Sequence, residues 1–430
     1  MTALIGLSLL LAIFLLGLPI FVAFFAFNIG AAIYLMGAGG LTLFPGSILN
    51  TMTTSELIMV PLFILLGELL FRSGTIEILF DSVDTLIGKL PGREYVVVVA
   101  VSVLLGALSG SAIAVAALLG RTLLPAALDR GADTRLMSGM ALGGACLAPI
   151  IPPSILIVII GMLSGSSISQ LMAAGVVPGV IAGMMFFVYI QVAVWRRSGR
   201  ARATVDTGAD GAEKLRALAR LLPFSIVVFL VLGLILLGIA TPTEAAATGV
   251  FGAVIVAAIF GKLSLRLFKD SIEGAVILSA MLLVIMATST IFTQLLAFSG
   301  FARDAVDFVN GLDVSDLALF ALLMLLPFVL CMFLDQIALL LILVPIYLPI
   351  IQAHGFDPVV FWTALLLNLS IGAITPPFGY ALFALRAALG PKASLTDIYM
   401  SVLPVVAIMV ALIFLIYAFP PIVTWLPSFL

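Results

Sequence analysis

Apolar runs about the length of a bilayer crossing alternate with short polar breaks along almost the whole chain. Runs near 3–17, 19–37, 51–71, 135–162, 171–195, 221–239, 244–261, 271–297, 358–385 and 398–419 each approach the roughly 20 residues a helix needs to cross about 30 Å of hydrocarbon. Two further stretches, 94–128 and 317–353, are too long for one crossing. Small or polar residues interrupt each near its middle, "GALSGSA" at 106–112 and "MFLDQ" at 332–336. They read as re-entrant hairpins that enter the membrane and return. The amphipathic segments 75–90 and 301–316 precede the two hairpins equivalently and read as interfacial helices.

Composition turns this pattern into a class. The chain of 430 residues is 63% hydrophobic and 9% charged, whereas soluble domains carry about 25% charged residues. An all-α polytopic membrane protein embedded in the lipid bilayer is predicted. Cys146 and Cys331 both sit in apolar runs and suggest neither a disulfide framework nor a metal site. A net charge of −2 without a basic patch argues against nucleic acid. Residues 1–36 have no charged leader region and no small-residue cleavage site, so they read as the first spans rather than a removed signal.

The basic residues give an orientation. Segment 195–220 holds seven Lys/Arg against three acids, and the positive-inside bias makes loop 196–220 cytoplasmic. If both long stretches are hairpins, Arg72, Lys89, Arg93, Arg130, Arg135, Lys262, Arg266, Lys269, Arg386 and Lys392 share that side. Only Arg303 faces out, Arg121 snorkels to the inner face, and both termini are periplasmic.

A displacement of 224 aligns the halves without a gap: Pro125, Gly131, Asp133, Ile150, Pro152 and Pro153 fall on Pro349, Gly355, Asp357, Ile374, Pro376 and Pro377. "GELLFRSG" at 67–74 resembles "TQLLAFSG" at 293–300 just upstream. The span count gives the copies opposite orientation, an inverted-topology repeat of the kind secondary transporters use for alternating access.

Both copies break a helix at the same place. "IIPPS" at 150–154 and "AITPPFG" at 373–379 lie about halfway through spans 135–162 and 358–385, and consecutive prolines unwind a helix locally. Unwound backbone at bilayer depth persists only where protein buries it or a watery cavity adjoins it. Its carbonyls are oxygen ligands for a cation, and the helix restarting after the break offers N–H groups to an anion. The tips add small polar groups: Ser109, Gly110 and Ser111 in the first, Asp335 in the second, at the position equivalent to Ser111. Asn368, Ser370 and Thr375 line the second break. Hydroxyls, carbonyls and one intramembrane carboxylate favour Na⁺ over a proton relay. Glu56, Glu68 and Glu244 are weaker candidates, and "TPTEAAATG" at 241–249 reads first as a helix start. His354, the sole histidine, reads as a solvated loop residue.

Several stretches resemble the large membrane subunit of TRAP (tripartite ATP-independent periplasmic) transporters: "FPGSILNTMTTSELIMVPLFILLGELLFRSG" (44–74), "GALSGSAIAVAALLG" (106–120), "TPTEAAATG", "MFLDQIALLLILVPIYLPI" (332–350) and "ITPPFGYALFAL" (374–385). The resemblance runs in order from about residue 5 to 420. It implies Na⁺-driven import of an organic acid, such as a C4-dicarboxylate, across the bacterial inner membrane. A periplasmic binding protein would deliver the acid, and a small four-helix membrane subunit, a separate chain, would complete the complex. It also implies an elevator-type fold like that of the ion transporter superfamily. Residues 1–93, 166–316 and 391–430 would form the scaffold, and 94–165 with 317–390 the transport domain. By motif, the first sodium site resembles Ser109 and Ser111 with backbone around Gly144, Ala148 and Ile150. The second resembles Asp335 with backbone around Gly372, Ile374 and Thr375. Substrate would lie between the tips, near Ser109, Gly110, Pro152, Pro153, Ser154, Asn368, Pro376 and Pro377. In "LAPIIPPS" the chain departs from the family's "G-I-L-I-P-P-S"-like run by Ala148 and an extra Pro149, which removes another amide. The competing readings are a stand-alone sodium/dicarboxylate symporter, a channel subunit, and an intramembrane serine protease pairing Ser109 with His354. No enzymatic activity is expected.

Overall fold

The computed structural model describes residues 2–196 and 210–430, and within them the regular structure is helical throughout. Most of the basic loop expected to be cytoplasmic, residues 197–209, lies outside the described residues. Seven helical stretches among the described residues are long and apolar enough to cross a membrane, or up to nine if each of two bent pairs is one span. Large apolar side chains such as Phe251, Val276, Ile277 and Leu325 are exposed, as suits a surface solvated by lipid. The chain is a multi-span membrane protein.

The first half begins with α1 (Thr2–Leu15), α2 (Ile20–Met36), α3 (Leu43–Met52), α4 (Met59–Arg72) and α5 (Ile76–Ile87). The run expected to cross from residue 51 starts as an α-helix only at Met59, after a 3₁₀ turn. The Thr53 and Thr54 hydroxyls donate to the Leu49 and Asn50 carbonyls and close α3 there, a local competition that favours helix ends. Next come α6 (Arg93–Ser109), α7 (Ala112–Arg121), α8 (Leu123–Asp129), α9 (Thr134–Cys146), α10 (Ile155–Ser164) and α11 (Ile168–Arg196). The second half holds α12 (Gly211–Val228), a π-helical turn at Phe229–Gly233, α13 (Leu234–Leu236), α14 (Pro242–Ile259), α15 (Leu265–Phe298) and α16 (Phe301–Asn310). It closes with α17 (Asp316–Cys331), α18 (Gln336–Ala353), α19 (Pro358–Gly372), α20 (Tyr380–Leu389), α21 (Leu395–Ala418) and α22 (Pro421–Thr424).

Displaced by 224, the range 112–129 covered by α7 and α8 becomes 336–353, the bounds of α18. The same displacement carries α9 to 358–370 within α19, and α10 to 379–388 over α20. Caps follow suit. Ser111 and Asp335 cap α7 and α18, while Asp133 and Asp357 cap α9 and α19, each side chain accepting from a first-turn amide.

Both long apolar stretches turn back on themselves. At the start of α6 the Tyr95 hydroxyl accepts from the Asp133 amide at 3.0 Å, so α7 and α8 return the chain to the end from which α6 set out. Phe320, near the start of α17, likewise lies 6.4 Å from Phe356 and 6.2 Å from Phe361 between ring centroids, and the Tyr347 hydroxyl donates to the Leu323 carbonyl at 2.9 Å. Helix α21 measures the separation of the two mouths. Near its start Asp397 pairs with Arg135 at 2.8 Å, and nearby Lys392 pairs with Asp129 at 2.7 Å, both at the first mouth. Near its end Tyr417 lies 4.6 Å and Phe414 6.4 Å from Phe320 at the second. Twenty residues of helix separate these contacts, about 30 Å at 1.5 Å per residue, so the hairpins open at opposite ends.

Packing divides the helices into two groups. Helices α2, α3, α4, α14 and α15 pack on one another and α12 packs on α14 and α5, while α5 and α4 reach α6, α4 also touches α10, and α15 touches α18. Helices α6 to α11 and α17 to α22 form the second group, in which α21 lies along α9 and α19, and α11 contacts α9, α19 and α21. Close approach needs small residues here. A Cβ on Gly139 of α9 would meet the Ser401 carbonyl of α21, and one on Gly144 would meet the Ser102 side chain of α6.

Candidate functional site

Helix α9 ends in tight turns, the Leu147 amide donating to the Gly144 carbonyl and those of Ile150 and Ile151 to the Leu147 carbonyl. Proline at 149, 152 and 153 then leaves no amide to continue the ladder. The second break does the same: the Ile374 amide donates to the Ile371 carbonyl and the Thr375 amide to the Gly372 carbonyl before Pro376 and Pro377. Pro152–Pro153 and Pro376–Pro377 are joined by cis peptide bonds. Gly144, Ala148, Ile150, Pro152, Pro153 and Ser154 are buried, as are Asn368, Gly372, Ile374 and Thr375; Pro376 is half-buried and Pro377 exposed.

Each hairpin tip meets the break of its own half. Ser109 ends α6 and Gly110, at φ 61°, makes the turn. A Cβ on Gly110 would lie 3.5 Å from the Pro153 carbonyl and 3.9 Å from the Ser154 Cα. A Cβ on Gly106, one turn back, would stand 2.8 Å from the Ala148 Cβ. At the second tip the Gln336 side chain and the Cys331 thiol both donate to the Leu369 carbonyl at 3.1 Å. Gly372 abuts Cys331, and Phe333 packs 5.5 Å from Phe378. The halves then interlock, α7 packing along α20 and α10 along α18.

The polar groups divide by what their atoms already do. The Ser111 Oγ accepts from the Ala114 amide at 3.3 Å and the Asp335 Oδ1 from the Ile337 amide at 2.8 Å, so both tip residues begin as helix caps. Ser154 donates to the Pro149 carbonyl at 2.6 Å and Thr375 to the Ile371 carbonyl at 2.7 Å. A hydroxyl that gives its proton to backbone keeps its lone pairs for a cation or a donor. Asn368, expected to line the second break, instead donates to the Met324 carbonyl and ties α19 to α17. The Ile150 carbonyl faces Gly175 of α11. The added Pro149 thus has a visible part, its carbonyl holding Ser154.

Helix starts separate the same way. Whereas α7, α9, α18 and α19 carry side-chain caps, α10 and α20, the two that begin at the breaks, have none. At α20 the Ala381 amide already donates to the Ala373 carbonyl at 3.3 Å and the Leu382 amide to the Gly379 carbonyl at 2.9 Å; the remaining first-turn N–H and the positive end of the helix dipole stay open to another acceptor. Among the described residues no three His, Cys, Asp or Glu side chains cluster as metal ligands, so a cation held here would rest on hydroxyl, carbonyl and single-carboxylate oxygens.

The weaker candidates have structural roles. Thr241 and Glu244 form a capping box at the start of α14, as the local pattern predicts. Glu68 pairs with Arg72 one turn on. Glu56 is exposed beside Ser55. His354 differs from a freely solvated loop residue. It is half-buried, its ring 6.4 Å from that of Phe356 and its Nε2 enclosed without a partner. Residue-type reasoning missed Ser102, Gln336, Tyr380 and Tyr399, the last donating to the Pro377 carbonyl at 2.7 Å. Each is a polar residue in an apolar run, a signal that becomes specific only once packing is known.

Proline-broken helices facing two hairpin tips inside a multi-span helical protein define a membrane transport protein rather than an enzyme. Residues 7–422 match the Tripartite ATP-independent periplasmic transporter, DctM component, and the chain belongs to that family. It is similar to the ectoine TRAP transporter large permease protein TeaC of Halomonas elongata, 28% identical over 97% of each chain. It is also similar to the 2,3-diketo-L-gulonate TRAP transporter large permease protein YiaN of Escherichia coli, 28% identical over 99% of each. The isethionate TRAP transporter permease protein DctMQ of Oleidesulfovibrio alaskensis is 30% identical over 82% of this chain, which spans 55% of that relative's length. Among solved structures, the Alcanivorax borkumensis YdaH transporter shares the fold with a TM-score of 0.60 at 16% identity, over 90% of this chain and 91% of that one.

Proposed function

We propose that the chain is the membrane-embedded carrier of a tripartite system that imports an organic acid on an inward sodium gradient. A periplasmic binding protein delivers the acid, and a small membrane subunit enlarges the frame. The observation that carries this reading is the pairing of two uncapped helix starts, at Ile155 and Tyr380, with two hairpin tips that bring Ser111 and Asp335 to the breaks. Amides at the helix starts suit the acid's carboxylate. Sodium suits the oxygens beside them, the first ion taking Ser109, Ser111 and carbonyls around Gly144 and Ala148. The second takes Asp335 with carbonyls around Gly372, Ile374 and Thr375. Ser154, Pro152, Pro153, Pro376 and Pro377 border the acid.

The two halves form an inverted repeat, supported by the common displacement of helix bounds and by hairpin mouths at opposite ends of α21. Basic residues at the first mouth, among them Arg130, Arg135 and Lys392, make that end cytoplasmic. The moving body of the elevator comprises α6 to α11 and α17 to α22, and the frame comprises α2 to α4, α12, α14 and α15. This draws α11 and α21 into the moving body because they pack on the broken helices. The acid itself is selected in part by the binding protein; relatives are named for ectoine, sialic acid and diketogulonate. Uptake of labelled carboxylates into proteoliposomes tests the reading. Uptake that requires sodium outside, the binding protein and the small subunit supports it, and uptake indifferent to the sodium gradient refutes it.

A further inference from the structure

The Tyr380 hydroxyl is enclosed and has no hydrogen-bond partner. A buried polar group left unpaired is costly and calls for an absent ligand or water. Tyr380 is the first residue of α20, immediately after the second break, and α20, like α10 at the first break, starts without a side-chain cap. Its phenol oxygen lies against the Gln336 amide, within electrostatic reach of Asp335, Cys331 and Cys146. It therefore stands where the second tip, the second break and the end of α9 converge. The equivalent position in the first half is Leu156, so the phenol makes the two half-sites chemically different.

We infer that Tyr380 is a cargo-binding residue that sets specificity at the second half-site, its hydroxyl donating a hydrogen bond to an oxygen of the transported acid. The direction follows from its neighbours. The Gln336 backbone N–H faces the oxygen without completing a hydrogen bond, and no acceptor engages the phenol proton. A cation would need the lone pairs that the amide faces. An acid oxygen at the uncapped start of α20 would accept from the phenol and lie in the favourable field of the helix. The inference rests on the transport reading above.

The test uses the purified complex of this chain with its small subunit and follows thermal stability in sodium or choline chloride. Ectoine, N-acetylneuraminate, isethionate and succinate serve as probes, and the same samples are assayed for uptake with the binding protein. Tyr380→Phe removes one oxygen and keeps the ring, and Tyr380→Leu copies the first half. Both are expected to weaken apparent acid affinity about tenfold or more, the loss of one buried hydrogen bond to a charged acceptor, while sodium still stabilises them as it does the parent. Unchanged acid affinity in Tyr380→Phe overturns the inference. So does a loss confined to the sodium response, which would make the phenol a cation ligand. A parent complex that neither binds nor moves any acid fails at the transport reading itself, and this inference falls with it.

Discussion

Asp335→Asn and Asp335→Ala separate two jobs that one carboxylate is proposed to perform at the second tip. In the structure Asp335 caps α18, its Oδ1 2.8 Å from the Ile337 amide. Asparagine caps nearly as well as aspartate, whereas alanine forfeits about 1 kcal/mol. The charge is a different matter. At about 4 Å and an effective dielectric of about 20, a carboxylate attracts a monovalent cation by about 4 kcal/mol. Desolvation offsets part of that, leaving about 1.5–3 kcal/mol, or about 10- to 150-fold in half-saturating sodium. Asp335→Asn should therefore keep parental thermal stability in choline chloride and lose sodium affinity by at least tenfold. Asp335→Ala should lose both. The assay pairs a melting curve of the complex with the sodium dependence of initial uptake. Normal sodium dependence in Asp335→Asn would refute the cation role and leave Asp335 a cap alone.

Three further outcomes test the fold and its motion. Leu57, before α4, and Ile159, on α10, line the same small apolar gap between frame and proposed moving body. Cysteines there, cross-linked, should stop uptake, whereas a cross-link replacing the Arg135–Asp397 ion pair within the moving body should spare it; arrest by the second would place α21 in the frame. Gly144→Ala should cost about 1–3 kcal/mol of stability, because its Cβ meets Ser102, and an unchanged melting temperature would contradict that packing. Glu244→Ala should lower the melting temperature slightly with the loss of its capping box while sodium dependence stays parental; a shifted sodium response would make Glu244 part of the site.

The helix bounds of the second half were largely legible because proline, glycine and capping aspartates punctuate it. Asp357 followed by Pro358 fixes the start of α19, and Asp335 that of α18. The two breaks were legible for the same reason, since Pro152–Pro153 and Pro376–Pro377 leave no amides for a helix to use. What side chains face was not. Nothing in the order of residues says that Asn368 donates to Met324 rather than into the break, or that the Ile150 carbonyl turns toward Gly175. Those facts depend on helices 44 and 25 positions away. That α11 and α21 pack on the broken helices was equally hidden, because an apolar run looks the same whatever it packs against.

The cap pattern argues for why an acid and a metal ion should travel together. A helix start in water can leave its amides to solvent, but at bilayer depth each unpaired group costs several kcal/mol. The tips escape that cost with Ser111 and Asp335, while the starts at Ile155 and Tyr380 carry no such cap. On the proposed reading the acid supplies the missing acceptors, so the transport domain is most stable when loaded. Yet an anion beside the Asp335 carboxylate is repelled unless a cation lies between them. Sodium removes the repulsion, and the acid removes the unpaired amides. Neither ligand alone neutralises the site, so partly loaded forms would carry an exposed charge or unsatisfied backbone through the apolar wall between frame and moving body. On the proposed reading, that penalty on partly loaded forms would be the physical basis for coupling. It also predicts that sodium and acid raise each other's affinity by the same factor, as linkage requires. Titrating the complex with each in the absence and presence of the other measures both factors, and unequal or unit values would break the argument.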